Sequence, residues 1–81
     1  MDLKLVILRK LYRHRIIGRK HTAIENLSKG LPKHLVGEAK SAAEDLIKEG
    51  LIKSKPTSYG LQVSLNPQKI EMISTMVEQN E

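Results

Sequence analysis

The chain contains no cysteine, no phenylalanine and no tryptophan, and histidine apart, its only aromatic side chains are two tyrosines. Without cysteine there is no disulfide framework, no thiolate zinc site and no thiol chemistry. Without aromatic platforms the core must be aliphatic, and the stacking surfaces typical of single-strand nucleic-acid readers are missing. No apolar run approaches the roughly 18 residues of a membrane span. The opening stretch, MDLKLVILRKLYRHR, is charged where a secretory leader would be apolar, and no small-residue cleavage site follows it. There is no internal repeat, and no Pro-rich or Gly/Ser-rich linker divides the chain. A P-loop, a dinucleotide fingerprint, an HExxH helix and a nucleophile elbow are all absent, so no enzymatic activity and no cofactor are expected. A metal site built from His14, His21, Glu25 and His34 is set aside, because isolated histidines more often hydrogen-bond locally or stay in solvent.

What remains is an 81-residue chain with 11 Leu, 8 Ile and 4 Val and a formal net charge of +5. That length suits one small domain whose core must be efficiently buried. The reading is a soluble, cytoplasmic domain, nucleoid-associated if it binds DNA. The charge is uneven. Residues 1–20 carry Lys4, Arg9, Lys10, Arg13, Arg15, Arg19 and Lys20 against Asp2 alone, whereas the rest of the chain is close to neutral. A basic surplus favours an anionic partner without identifying it.

Periodicity and punctuation place the elements. Leu3, Ile7 and Leu11, joined by Leu5, Leu8 and Tyr12, predict a helix from about Asp2 to His14 with a wide apolar arc. Thr22-Ala23-Ile24-Glu25 reads as a capping box opening a short helix to about Lys29, with Gly30 just past its end. A third helix is expected over Lys33–Glu49. Leu35, Val36, Ala39, Ala42, Ala43, Leu46 and Ile47 lie on its inner arc. Lys33, His34, Gly37, Lys40, Ser41, Glu44, Asp45 and Lys48 lie on the outer one. Gly50 ends it. A hairpin follows, from a short strand at Leu51–Lys55, through a loop at Pro56–Gly60, to an alternating strand at Leu61–Leu65. Asn66-Pro67 then reads as an N-cap and first turn of a last helix running to about Glu78, with Ile70, Ile73 and Val77 on one face and Met72 and Met76 beside it.

A short helix, a Gly-containing turn, a longer helix and an immediate hairpin resemble the winged helix-turn-helix superfamily. The similarity covers about residues 3–66 and is strongest in Leu46-Ile47-Lys48-Glu49-Gly50-Leu51-Ile52. His21–Leu27 and Lys55–Pro67 look like a group of small, mostly uncharacterised archaeal proteins of this type. The resemblance implies an α+β, mostly α, fold: three helices, a β-hairpin wing and a C-terminal helix. Residues 1–66 would form the winged domain, and residues 67–81 a helix packed on it. The spacing from Leu31 to Gly50 is a few residues longer than the usual bacterial regulator pattern.

The resemblance further implies that the third helix enters the major groove of double-stranded DNA. Lys33, His34, Gly37, Lys40 and Ser41 are then the recognition candidates. The helix reads as basic at its start and acidic at its end, with Glu44, Asp45 and Glu49. A basic N-terminal turn is disfavoured by the helix dipole and would be relieved by phosphates. Lys53, Lys55, Thr57, Ser58 and Tyr59 are the wing candidates, and Arg19, Lys20 and Thr22 are candidate backbone contacts. Each has a plainer alternative. The helix lysines can be a solvated face, Lys53 and Lys55 can protect an edge strand, and Tyr59 can fold back onto the core.

The function expected is sequence-preferring double-stranded DNA binding in transcription regulation. The alternative is a winged-helix protein-interaction module in a transcription, replication or chromosome-maintenance assembly. Leu5, Tyr12, Met72 and Met76 are candidates for a homodimer or protein-partner face, the alternative being that the methionines complete a monomeric core. No membrane partner is expected. Nor is a small-molecule ligand, since no second domain is present to sense one.

Overall fold

In the computed structural model, which describes residues 2–79, the elements are α1 (Leu3–Arg13), β1 (Thr22–Ala23), α2 (Val36–Lys48), β2 (Ile52–Thr57), β3 (Gly60–Leu65) and α3 (Ile70–Gln79). Short 3₁₀ segments at Ile24–Ser28, Lys33–Leu35 and Pro67–Lys69 join them. The fold is α+β and mostly helical, with one antiparallel sheet in the order β1-β3-β2. Met1, Asn80 and Glu81, the outermost residues of the expected 1–66 and 67–81 division, lie outside the described residues. Among the described residues no helix is long and apolar enough to cross a membrane.

The three α-helices form where the periodicity placed them. Asp2 caps α1 by accepting from the amides of Lys4 and Leu5. Ile7, Leu8 and Leu11 of α1, Ala43 and Leu46 of α2, Ile52, Val63 and Leu65 of the sheet, and Ile73 and Val77 of α3 belong to one aliphatic core. The helix after Asn66 is therefore part of the same core as residues 7–65. Its position is fixed by Asn66 itself, which is 7% exposed. The Asn66 amide Nδ2 donates to the Gly50 carbonyl at 2.8 Å, and its Oδ1 accepts from the Gln68 backbone at 3.0 Å. One side chain thus joins the end of α2 to the start of the last helix.

Helices α1 and α2 end in the same left-handed motif. After α2, Gly50 has φ 80°, its N–H donates to the Ile47 carbonyl, and the Leu51 N–H reaches back to Leu46. After α1, the equivalent residue is Arg15, with φ 56°, and the bonds run from Arg15 to Tyr12 and from Ile16 to Leu11. At Gly50 an added Cβ meets nothing within 4 Å, so only backbone strain opposes a side chain there. Gly50→Ala should therefore lower the unfolding free energy by about 1 kcal/mol, read from urea unfolding with an unchanged slope.

Three local expectations are corrected. The Thr22–Glu25 capping box does not form. Thr22 and Ala23 are instead strand residues, paired with Val63 and Gln62 in a two-residue β1 that the sequence pattern did not reveal. The turn after them winds as a 3₁₀ helix over Ile24–Ser28 with no side-chain cap, and the Thr22 hydroxyl accepts from Asn26 Nδ2 at 2.8 Å. The expected loop at Pro56–Gly60 is mostly strand. Pro56 pairs with Leu61 and Thr57 with Gly60, leaving a turn of Ser58 and Tyr59. Proline is tolerated there because β2 is an edge strand. Val36, placed on the inner arc of the third helix, is 42% exposed because it opens α2 before that helix meets the core.

Lys4 Nζ lies 2.7 Å from Glu49 Oε2, tying the start of α1 to the end of α2. That hydrogen bond holds the Lys4 ammonium above its ordinary pKa against the opposing loss of hydration, with weaker help from the attraction of Glu49, Asp45 and Asp2. The pair is exposed and screened, so it fixes position more than it stabilises. Its contribution is complete at neutral pH and is lost on the alkaline side as the pH rises through the raised Lys4 pKa.

Candidate nucleic-acid interface

The eight residues expected on the outer arc of the third helix, Lys33, His34, Gly37, Lys40, Ser41, Glu44, Asp45 and Lys48, are all exposed. Lys33 and His34 sit in the 3₁₀ turn that leads into α2, and Gly37, Lys40 and Ser41 follow on its first turns. The hairpin comes directly after. From Lys53 to Gly60 every residue is exposed, so this end of β2 and β3 stands clear of the core. Lys53 and Lys55 alternate with Ser54 and share one face of the ribbon.

At the hairpin tip the alternatives for Tyr59 separate. Its side chain is 94% exposed, so it does not cap the core. The Thr57 hydroxyl donates to the Gly60 carbonyl at 2.7 Å and accepts from the Tyr59 N–H at 3.2 Å. Thr57 therefore braces the turn, and its proton is already engaged.

Glu25 connects the tip to α2. Its carboxylate lies 4.0 Å from where a Cβ on Gly60 would stand. It also lines, with Ile24, Leu27, Val36, Ala39 and Lys40, a groove of about 180 Å³ between the 3₁₀ helix and α2. Lys40 and the hairpin tip thus border one region, with a carboxylate between them.

Ser41 belongs to a different neighbourhood. It shares a cleft with Asp2, Lys4, Glu38 and Asp45 between α1 and α2. Glu38 stands in the first turn of α2, so the expected sequence of basic start and acidic end is not a clean gradient. The outer surface of α2 instead has an acidic flank beside α1 and a mixed strip through Gly37, Lys40, Glu44 and Lys48.

The third group of candidates is set apart. Arg19 and Lys20 are exposed next to Gly18, whose N–H donates to the Leu65 carbonyl at 3.1 Å. They therefore lie by the base of the hairpin and not by its tip, and the Lys20 ammonium donates to the His14 carbonyl at 3.3 Å. Thr22 is half-buried in β1.

Of the dimer candidates, Met72 is 48% exposed, whereas Tyr12 and Met76 pack against the core and Leu5 is half-buried. Among the described residues, no group of three or more His, Asp and Glu side chains is placed to hold a metal ion. Lys10 has a structural task that its sequence context did not announce. Its ammonium donates to the Asn26 and Lys29 carbonyls at 2.7 and 3.0 Å, closing the open end of the 3₁₀ helix as cations do at helix C-termini. The groove beside Lys40 was equally hidden, since it forms between two elements and no periodicity within either one marks it.

No family model, curated protein or solved structure matches this chain.

Proposed function

We propose that the chain is a winged-helix protein that binds double-stranded DNA and acts in transcription regulation, with α2 in the major groove and the β2–β3 hairpin on the backbone or minor groove. One observation carries this reading. The exposed outer face of α2 runs straight into a hairpin that stands clear of the core, bearing Lys53, Lys55 and a fully exposed Tyr59. The element order and the sheet order β1-β3-β2 are compatible with it. Lys33, His34 and Lys40 supply donors along the helix, and Gly37 lets its backbone come close to a groove wall.

A duplex titration of the ¹⁵N-labelled chain at low salt tests the reading. Backbone signals of Lys33–Lys40 and Ser54–Gly60 should shift, while those around Glu71 should not. Binding should weaken with a log–log salt slope of about −0.9 per phosphate neutralised. Replacing Lys33 and Lys40 together by Ala should flatten that slope by about 2 and weaken binding several-fold. Tyr59→Ala should leave stability within about 0.5 kcal/mol, because the ring is exposed, and still weaken binding. Unshifted signals in both segments would remove the DNA reading.

The protein-interaction alternative has its own observation. The groove lined by Ile24, Leu27, Val36 and Ala39 is apolar, and the acids Glu38 and Asp45 flank α2 where a DNA backbone would be repelled. Failure of the duplex titration would leave this as the function the surface supports.

A further inference from the structure

The groove between the 3₁₀ helix and α2 is walled by the aliphatic side chains of Ile24, Leu27, Val36 and Ala39, with the exposed Glu25 and Lys40 at its margin. Its volume of about 180 Å³ is below the roughly 300 Å³ at which small-ligand pockets begin. It has room for one large side chain and not for a helix.

Among the described residues three large apolar side chains are exposed, Val36, Tyr59 and Met72. Two of them meet at this place. Val36 belongs to the groove wall, and Tyr59 stands on the hairpin tip beside it, since the Glu25 carboxylate at the margin lies 4.0 Å from where a Cβ on Gly60 would stand. Tyr59 does not enter the groove of its own chain, because its ring is 94% exposed. The turn that carries it is braced by the Thr57 hydroxyl, which bonds both the Gly60 carbonyl and the Tyr59 N–H. An aromatic side chain in solvent and a recess of side-chain size are thus neighbours on one surface.

We propose that the groove receives Tyr59 from a second copy of this chain, and that the second copy's groove receives Tyr59 from the first. A two-fold contact is reciprocal, so a side chain and the recess it fills close most compactly when both lie near the axis. The adjacency of tip and groove meets that condition. Tyrosine is a preferred anchor in interface pockets. Its ring would cover the aliphatic walls, while its hydroxyl stays at the margin, where it can donate to Glu25 or accept from Lys40. Lys55, exposed on the same hairpin, is opposite in sign to Glu25. The contact uses little surface, so it is weak and reversible. It goes beyond the DNA reading, because it covers Tyr59 and Lys40, which that reading places on the duplex. Self-association and DNA binding then compete.

The test is sedimentation velocity of the full chain without DNA, between about 20 μM and 1 mM. The weight-average mass should rise with concentration toward twice that of the chain. In a mixture of ¹³C-labelled and unlabelled chain, isotope-filtered NOEs should connect the Tyr59 ring with the methyl groups of Ile24, Leu27 and Val36. Tyr59→Ala and Val36→Asp should each weaken association about tenfold or more, while Met72→Asp leaves it unchanged. Both test positions are exposed, and an acid is favoured in the first turn of a helix, so these variants should keep the fold. A mass that stays monomeric at the highest concentration would overturn the proposal. So would association that survives Tyr59→Ala, contacts between Tyr59 and the groove within one chain, or an interface centred on Met72. The test contains no DNA, so its outcome is distinct from that of the duplex titration.

Discussion

Leu46→Ala should remove about 3–4 kcal/mol of stability, the cost of lost burial together with an unfilled cavity. Leu46 is completely buried on α2, in the core shared with Leu11, Leu27, Leu51 and Ile52. The buried residues of the core are all aliphatic, with Tyr12 only packed against them from α1, and they are anchored on several different elements. A domain of this size has only about 4–12 kcal/mol in total. The substitution should therefore bring the urea midpoint down by about a quarter or more, with a similar slope. Val36→Ala is the matched control on the same helix. Its 42% exposure should hold the loss to about 0.5 kcal/mol. Equal losses for the two variants would show that α2 is not seated as described.

The second large effect is at a polar residue. Asn66→Ala should cost about 2–3 kcal/mol, because two buried interactions are lost together. The Gly50 carbonyl loses its donor and the Gln68 N–H loses its cap, each worth about 1 kcal/mol when the remaining group is poorly solvated. Thermal unfolding should show the loss. Hydrogen exchange should also show the Gln68 amide opening faster, while the Asp2-capped amides of α1 are unaffected until global unfolding. A loss no larger than that of an exposed cap would mean that the bond to Gly50 contributes nothing.

The sequence made the helices readable, and physical reasons separate what it disclosed from what it did not. Asp2, Gly50 and Asn66-Pro67 are local signals, and each marks the boundary it was expected to mark. The outer arc of α2 follows from a 3.6-residue period alone, which is why Gly37, Lys40, Ser41, Glu44, Asp45 and Lys48 are all exposed as expected. Strand β1 was not legible because two residues carry no alternation. Thr22 and Ala23 become strand only through the register offered by β3, and the capping-box pattern at the same place is a weaker attraction than those backbone bonds. The end of α1 near His14 followed from the periodicity, but the left-handed turn at Arg15 did not, since an arginine there carries none of the signal that glycine does. Pro56 suggested a loop because the strand order, which makes β2 an edge, is a tertiary fact.

The candidate interface was legible in part for the same reasons. The exposure of Lys33, His34, Lys40 and the hairpin lysines follows from local pattern. The separation of Ser41 and Lys40 into different clefts does not, nor does the placing of Arg19 and Lys20 by the hairpin base, because both depend on how α1 and the sheet pack around α2. Glu38 was visible in the sequence, but its effect is spatial, since it joins Asp2 and Asp45 across the α1–α2 cleft.

Strand β3 pairs with two neighbours that differ greatly in chain distance. Its pairing with β2 closes across Ser58 and Tyr59 alone, whereas its pairing with β1 joins Thr22 to Val63 across about half of the chain. A short closure has a small entropic barrier and takes about 1–10 μs as a hairpin, while a long one must wait for intervening helices to supply compensating burial. The hairpin is therefore expected to pair first, and β1, with its neighbours Ile16–Gly18 docked on Leu65, to join the sheet only once the helices between have packed.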